Sequence, residues 1–445
     1  MLRFGTDGIR GRANQELTME VAYWLGVGIA LAIRPPAFAI GRDTRESGFW
    51  LSQAVGLGIA SVGVDLVDCG VVPTGALSWV ARSTGLPTVV ISASHNPYFD
   101  NGIKVFDAGG AKVAPEVERR IERSLVAFLG GERPEFGELG SFEQRSFEEE
   151  YLSWILDRLG PISYPLRVVV DSANGAAWRL APAMVERLGA EIVATIGDEP
   201  DGRNINAGVG ATHPAHLAKV VVERHADLGL AFDGDADRLI AVSETGVIVD
   251  GDELLTLLAL YLNARGALSN GAVAATVMSN LGLERVLSTH GIGVVRTDVG
   301  DRQIATALSA GSLSLGGEQS GHIIIRELGP TGDGLVTAAM LVHALEDWGG
   351  SLDRFRSCEV VRFPQVHRQV HTEARDRILS DPEFVELKRA VEVELGGDGR
   401  VVLRPSGTEP VFRILVEASD LMVAERLADQ LVSAVTMVTS RLRAE

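Results

Sequence analysis

The sequence predicts an α/β protein: three related α/β domains with mixed, mostly parallel sheets, followed by a smaller C-terminal α+β domain. Three observations lead there. A chain of 445 residues exceeds one ordinary core and points to about two to four domains. One unit recurs three times: a short apolar strand, a polar Gly-containing turn, a helix closed by Gly, and a β-branched strand. The strands are apolar nearly throughout, as in parallel sheet covered on both faces.

The first copy is FAIGRDTRESGFW at 38–50 with SVGVDLVDCG at 61–70. The second is VVVDSANGAAW at 168–178 with RLGAEIVATIG at 187–197, and the third AVAATVMSNLGLE at 272–284 with THGIGVVRTDVG at 289–300. Copies about a hundred residues apart favour three domains over one large doubly wound sheet. GGERPEFGELG at 130–140 precedes a helix running into LGPISYP at 159–165, which places the first domain at 1–155. RLIAVSETGVIVD at 238–250 feeds DGDELLTLLALYL, where Asp250 or Asp252 reads as a helix N-cap rather than a metal ligand. The second domain is thus 156–251, and the third, 252–365, ends near RFPQVH at 362–367. The rest, 366–445, carries a strand VVL, a loop RPSGTEP, a strand VFRILVEAS and a closing helix.

Composition excludes several classes. With 46% hydrophobic and 22% charged residues the chain is globular, not disordered. A net charge of −18 argues against a nucleic-acid or anionic-membrane surface, which needs basic patches. The apolar stretch from Val21 to Ile33 has 13 residues, short of the roughly 20 of a spanning helix. Residues 1–12 read as structure rather than a signal peptide. Cys69 and Cys358, far apart and without ligand spacing, read as two buried, reduced thiols of a cytoplasmic protein.

Four loops carry chemistry, one in each predicted domain. SASHNPYFDNGIK at 92–104 follows the strand TVVI and puts Ser94 and His95 at a strand end, where nucleophiles sit in α/β proteins. Lys104 could supply a proton or a positive charge, although alone it reads as a surface lysine. DGDADR at 233–238 alternates Asp233, Asp235 and Asp237, which in an extended segment share one side and call for a divalent cation such as Mg²⁺ or Ca²⁺. An EF-hand is excluded because Arg238 stands where that loop needs Gly. A phosphatase with Asp233 as nucleophile stays open. GGEQSGH at 316–322 offers Glu318 and Ser320 for sugar hydroxyls and His322 as acid or base. RPSGTEP at 404–410 gives Arg404, Ser406, Gly407 and Thr408, with Arg413 beyond, the makings of a phosphate cradle.

These loops in this order, with FGTDGIRG at 4–11, resemble the α-D-phosphohexomutase superfamily over the whole chain. FGTDGIRG, ISASHNP, VGDR at 299–302, GEQSGH and TGDG at 331–334 look closest to its amino-sugar branch. The resemblance implies four domains around a central cleft and a phosphoserine at Ser94. It also implies one Mg²⁺ held by Asp233, Asp235, Asp237 and a Ser94 phosphate oxygen. Lys104 and His322 match proton-transfer positions, and Arg10 and Arg238 match charge-stabilising ones. Glu318 and Ser320 match the sugar-reading loop, and Arg404, Ser406, Gly407, Thr408 and Arg413 the distal phosphate loop. Asp298 stands where many relatives carry Lys.

The implied reaction interconverts glucosamine 6-phosphate and glucosamine 1-phosphate, supplying amino-sugar nucleotides and cell-wall precursors. A hexose 1,6-bisphosphate is its intermediate and activator. The implied partner is a small hexosamine phosphate, with no nucleic acid and no membrane; a homodimer is compatible with the resemblance. The rivals are a glucose or mannose phosphate mutase of the same fold, a phosphohydrolase acting through Asp233, and a non-catalytic sugar-phosphate sensor.

Overall fold

The structure, a computed structural model, describes residues 3–5, 7–406 and 409–444. They form two compact units, Met1–Thr276 with Val294–Cys358, and Val277–Gly293 with Glu359–Glu445.

The first unit holds three sheets. Its seven-stranded sheet runs in the order Phe4–Gly5, Gly8–Arg12, Asp100–Phe106, Thr88–Ile91, Ala37–Arg42, Asp65–Val71, Phe142–Gln144. Ala37–Arg42 lies parallel to both its neighbours, while Asp100–Phe106 is antiparallel to its own, so the sheet is mixed. Helices Met19–Ile33, Glu46–Ala60 and Pro115–Leu129 share a core with this sheet through Trp24, Leu25, Phe38, Ile59 and Phe128. The five-stranded sheet runs Ile248–Val249, Leu239–Ser243, Leu228–Phe232, Arg167–Asp171, Glu191–Ile196. The four-stranded sheet runs Gly293–Thr297, Ala272–Thr276, Leu315–Gly317, Ile323–Ile325. Helix Gly334–Leu345 is apolar apart from Thr337 and His343, and every one of its residues is buried, as so apolar a helix requires.

In each repeat copy the two strands joined through a helix are neighbours in one sheet: Ala37–Arg42 with Asp65–Val71, Arg167–Asp171 with Glu191–Ile196, Ala272–Thr276 with Gly293–Thr297. In the first two copies these strands are parallel, so the repeat there is a βαβ unit, as its sequence pattern predicts.

The second unit has an antiparallel three-stranded sheet, Gln365–His371, Val411–Ala418, Gly399–Pro405. Phe412, Ile414 and Val416 alternate into a core with Leu427, Leu431 and Val435 of helix Leu421–Ala444, and Arg413 takes the other face.

Two expectations need correction. Cys69 is buried, its thiol pushed up to about 12 chiefly by burial, but Cys358 is exposed. The 233–238 segment is a turn rather than an extended strand, with Ala236 at φ +53°. Among the described residues, no helix is long and apolar enough to cross a membrane.

Candidate active site

Ser94 follows strand Thr88–Ile91, whose four residues are all buried. It sits at φ +52°, the left-handed region, and its N–H donates to Ser92 Oγ at 2.9 Å. Adjacent side chains normally diverge along a strand. Here the left-handed turn brings Ser94 Oγ within 3.3 Å of His95 Nδ1 and aims it at Asp233 Oδ2, 2.6 Å away. Burial, with Arg238 and Arg10 nearby, lowers His95 to about 4.

The aspartates come from the turn between the antiparallel strands Leu228–Phe232 and Leu239–Ser243. Turning, not strand alternation, converges them: one carboxylate oxygen from each of Asp233, Asp235 and Asp237 lies within 4.8 Å of the others, and all three residues are buried. Gly234 is required at this junction, since a Cβ there would lie 2.5 Å from Ser94 O. Burial and the charges of Asp237 and Asp235 raise Asp233. Asp237 also feels burial, but Lys104, His322 and Arg238 outweigh it and hold its carboxyl low.

This donor set fits Mg²⁺. Oxygen ligands on a turn suit a hard cation. Asp235 Oδ1 and Asp237 Oδ1 are buried with no hydrogen-bond partner, a costly arrangement that a cation would relieve.

Lys104 arrives on strand Asp100–Phe106, fully buried rather than on the surface. Its Nζ lies 2.8 Å from Asp235, 2.9 Å from Asp7 and 3.6 Å from Asp237. Burial works against its charge, but these carboxylates raise it well above the usual lysine range. Asp7 also pairs with Arg10 and, at 2.6 Å, with Lys112, which reaches on to Asp301 of the VGDR segment. Asp7 is itself buried, yet Lys104, Lys112 and Arg10 hold its carboxyl low. Arg238 donates its backbone N–H to Asp233 Oδ1 at 3.2 Å, and its Nε lies 3.7 Å from Asp237.

The GEQSGH loop links strands Leu315–Gly317 and Ile323–Ile325. Glu318 Oε1 accepts the Gly300 N–H at 3.1 Å, and Ser320 Oγ lies 3.5 Å from Glu318 Oε2. Gln319 donates to Asp250 at 3.3 Å. His322 is buried, with Nδ1 3.6 Å from Asp237 and Nε2 accepting the Gly332 N–H at 3.2 Å. Burial lowers its pKa, but Asp237 more than compensates and brings it to about 8. Gly332 must be glycine, because a Cβ would collide with this ring.

In the second unit Arg404 and Arg413 face each other across paired strands. Like charges directly opposite repel one another. Ser406 is buried, its Oγ accepting from Glu409 N at 3.3 Å, and Arg413 pairs with Glu409 at 2.9 Å. Gly407 and Thr408 lie outside the described residues.

The structure therefore brings the buried Ser94, Lys104, Asp233, Asp235, Asp237 and His322 into one cluster with the partly exposed His95 and Arg238. Arg10 reaches its edge through Asp7 and through Asn96, 3.4 Å away. Sequence reading passed over Asp7, Asp43, Arg45, Lys112 and Asn206. Asp7 sits inside the FGTDGIRG motif, three residues before Arg10, and Arg45 within DTR after a repeat strand, the one positional signal available.

Comparison with known proteins is consistent along the chain. Four family models match in order: phosphoglucomutase/phosphomannomutase alpha/beta/alpha domain I at 1–127, domain II at 150–246, domain III at 250–361, and the C-terminal domain at 364–434. The phosphoglucosamine mutase of Desulforudis audaxviator is 44% identical over 444 residues, 98% of each chain. That of Corynebacterium urealyticum is 44% identical over 449 residues, 98% of this chain and 99% of the other. A phosphoglucomutase/phosphomannomutase family protein from Burkholderia thailandensis superposes with a TM-score of 0.82 at 27% identity, covering 96% of each chain.

Proposed function

The chain belongs to the phosphoglucomutase/phosphomannomutase family, and from that premise we propose that it interconverts glucosamine 6-phosphate and glucosamine 1-phosphate through a phosphoserine at Ser94. One observation carries the mechanism: Ser94 Oγ, at a buried strand end, is 2.6 Å from an aspartate of a three-carboxylate cluster.

In the first half-reaction the bond between phosphorus and Ser94 Oγ breaks, and one forms to O1 of glucosamine 6-phosphate. The O1 proton leaves and Ser94 Oγ regains one, so the product is glucosamine 1,6-bisphosphate. In the second half the bisphosphate turns over and its O6 phosphoryl returns to Ser94, leaving glucosamine 1-phosphate. Asp233 Oδ2 is the atom that shares the Ser94 proton in the dephosphorylated state. His322, near 8, exchanges a proton around neutrality and is assigned the sugar hydroxyl. Lys104, held charged by Asp235 and Asp7, and Arg238 offset the negative charge of the transferring group. Mg²⁺, bound by Asp233, Asp235, Asp237 and a phosphate oxygen, would add Lewis-acid stabilisation of that charge. Glu318 and Ser320 read sugar hydroxyls, and Arg404, Ser406, Gly407, Thr408 and Arg413 hold whichever phosphate is not reacting, so one cradle serves both orientations.

The test is a phosphorus NMR time course with Mg²⁺, a trace of sugar bisphosphate, and equal glucosamine, glucose and mannose 6-phosphates. Glucosamine 1-phosphate should appear fastest, and Ser94→Ala should abolish it. Release of inorganic phosphate alone would overturn the mutase reading in favour of a hydrolase. Faster glucose or mannose conversion would move the enzyme to another branch.

A further inference from the structure

Ser94 holds a backbone conformation, φ +52°, that residues with a Cβ adopt only when their surroundings impose it. Two side chains grip its carbonyl oxygen. Arg45 Nη2 donates to Ser94 O at 2.7 Å and Asn206 Nδ2 at 2.9 Å. The same groups continue along the loop: Arg45 donates to Asn96 O at 2.8 Å and to Pro97 O at 2.5 Å, and Asn206 to Asn96 O at 3.2 Å. Arg45 is fixed in turn by Asp43, with Nε 2.9 Å from Oδ2 and the Arg45 N–H 3.0 Å from Oδ1, both side chains wholly out of solvent. Asn206 is also buried, and its N–H is tied to Ala173 O at 2.9 Å.

We propose that Arg45 and Asn206 are positioning residues that clamp Ser94 for phosphoryl transfer. Neither touches a reacting atom in this arrangement; both hold the main chain and leave Oγ directed at Asp233. A clamp on the carbonyl acts alike whether Oγ carries a proton or a phosphoryl group, so one geometry serves both half-reactions. The planar guanidinium spans three carbonyls of one loop, those of Ser94, Asn96 and Pro97, which a lysine ammonium on a flexible stem cannot reproduce. The neutral Asn206 amide donates where a carboxylate would repel two carbonyl oxygens.

The inference rests on Ser94 as phosphoryl carrier, and the experiment separates the two. Full-length wild type, Asn206→Asp and Arg45→Lys are treated with Mg²⁺ and glucosamine 1,6-bisphosphate. The kcat, KM, thermal midpoint and phosphoserine ³¹P resonance of each are then recorded. Asn206→Asp preserves shape, so it remains decisive where Arg45→Lys does not fold. The expected result is kcat lower by about 30- to 100-fold, as for a displaced reacting group, with KM within about twofold. A shifted phosphoserine resonance in a protein with wild-type melting should accompany it. A folded Asn206→Asp with wild-type kcat and an unmoved resonance overturns the clamp. So does a loss of activity that only tracks the loss of folded protein. If wild type takes up no phosphoserine at all, the carrier reading itself fails, and the clamp with it.

Discussion

Two segments of this chain begin Asp-Gly-Asp, one at 233 and one at 250, and they neutralise their carboxylates by different routes. Asp250 caps helix Gly251–Ala264, accepting the N–H groups of Asp252 at 3.1 Å and Glu253 at 3.3 Å. Its charge meets the helix N-terminus, a local source of positive potential. Glu253 is paired with Arg356 at 2.6 Å. The copy at 233 is followed by Ala236 in the left-handed region and then by a strand, so no helix follows whose amides could receive the charge. Its carboxylates turn toward one another and toward Lys104, which arrives from more than a hundred residues away. What comes after the tripeptide, a helix former or a strand, decides whether the acid supports the fold or loads a site.

Substitutions should separate the two roles, the largest effect coming from the 233 copy. Asp233→Asn replaces a carboxyl crowded by two others and leaves one acceptor oxygen where Ser94 Oγ and the Arg238 N–H now have two. Mutase turnover is expected to fall at least about a thousandfold, on the scale of losing a catalytic electrostatic group. The metal-free protein should melt higher, because like charges are relieved. Calorimetry and a coupled assay on the same sample check both signs, and a variant with lower stability and intact turnover would reverse the comparison.

Metal comes next. Adding Mg²⁺ at about 100 times its Kd should stabilise wild type by about 2.7 kcal/mol, and chelation should remove both that gain and the activity. In Asp233→Asn the gain should be largely absent at the same Mg²⁺ concentration, which a melting titration reads directly.

A third strand-end carboxylate, Asp171, sharpens the contrast on a smaller scale. It accepts backbone N–H groups from Ala173 at 3.0 Å and Gly210 at 2.7 Å, yet burial raises it from 3.8 to about 6. The folded state therefore binds this proton more tightly than the unfolded state. Its contribution is most favourable below pH 3.8 and declines as the pH rises to about 6, by on the order of 2–3 kcal/mol. The difference between wild-type and Asp171→Asn stability curves should carry this slope, and a flat difference across that window would remove Asp171 as its source.

The smallest effect belongs to the cap. Asp250→Ala should cost about 1 kcal/mol of stability. Because Gln319 of the GEQSGH loop donates to the same carboxylate, any kinetic change should fall on KM rather than kcat. A kcat collapse comparable to that of Asp233→Asn would erase the distinction between the two segments.

Local pattern carried much of this. The repeat strands, the strand–turn–helix unit, the Asp250 cap and the order of the four loops follow from side-chain periodicity and turn residues, which act between near neighbours. The motif resemblance extended that reading to the whole family, which the comparisons bear out. Long-range electrostatics stayed hidden. Lys104 reads as a surface lysine because nothing beside it in sequence announces Asp7, Asp235 and Asp237. Arg45 reads as one polar residue of a turn, since its partners at 94, 96 and 97 lie on another strand's loop.

By itself, then, the sequence determined which segments become strands and helices and which loops stand at strand ends. Those choices depend on residues a few positions apart. Only the tertiary structure decided that Ser94 turns left-handed toward Asp233, that the aspartates converge through a turn, and that Lys104 is buried among acids. The physical reason is that charge and hydrogen bonding act through space over a few ångströms, and which groups come that close is settled by packing rather than by order along the chain.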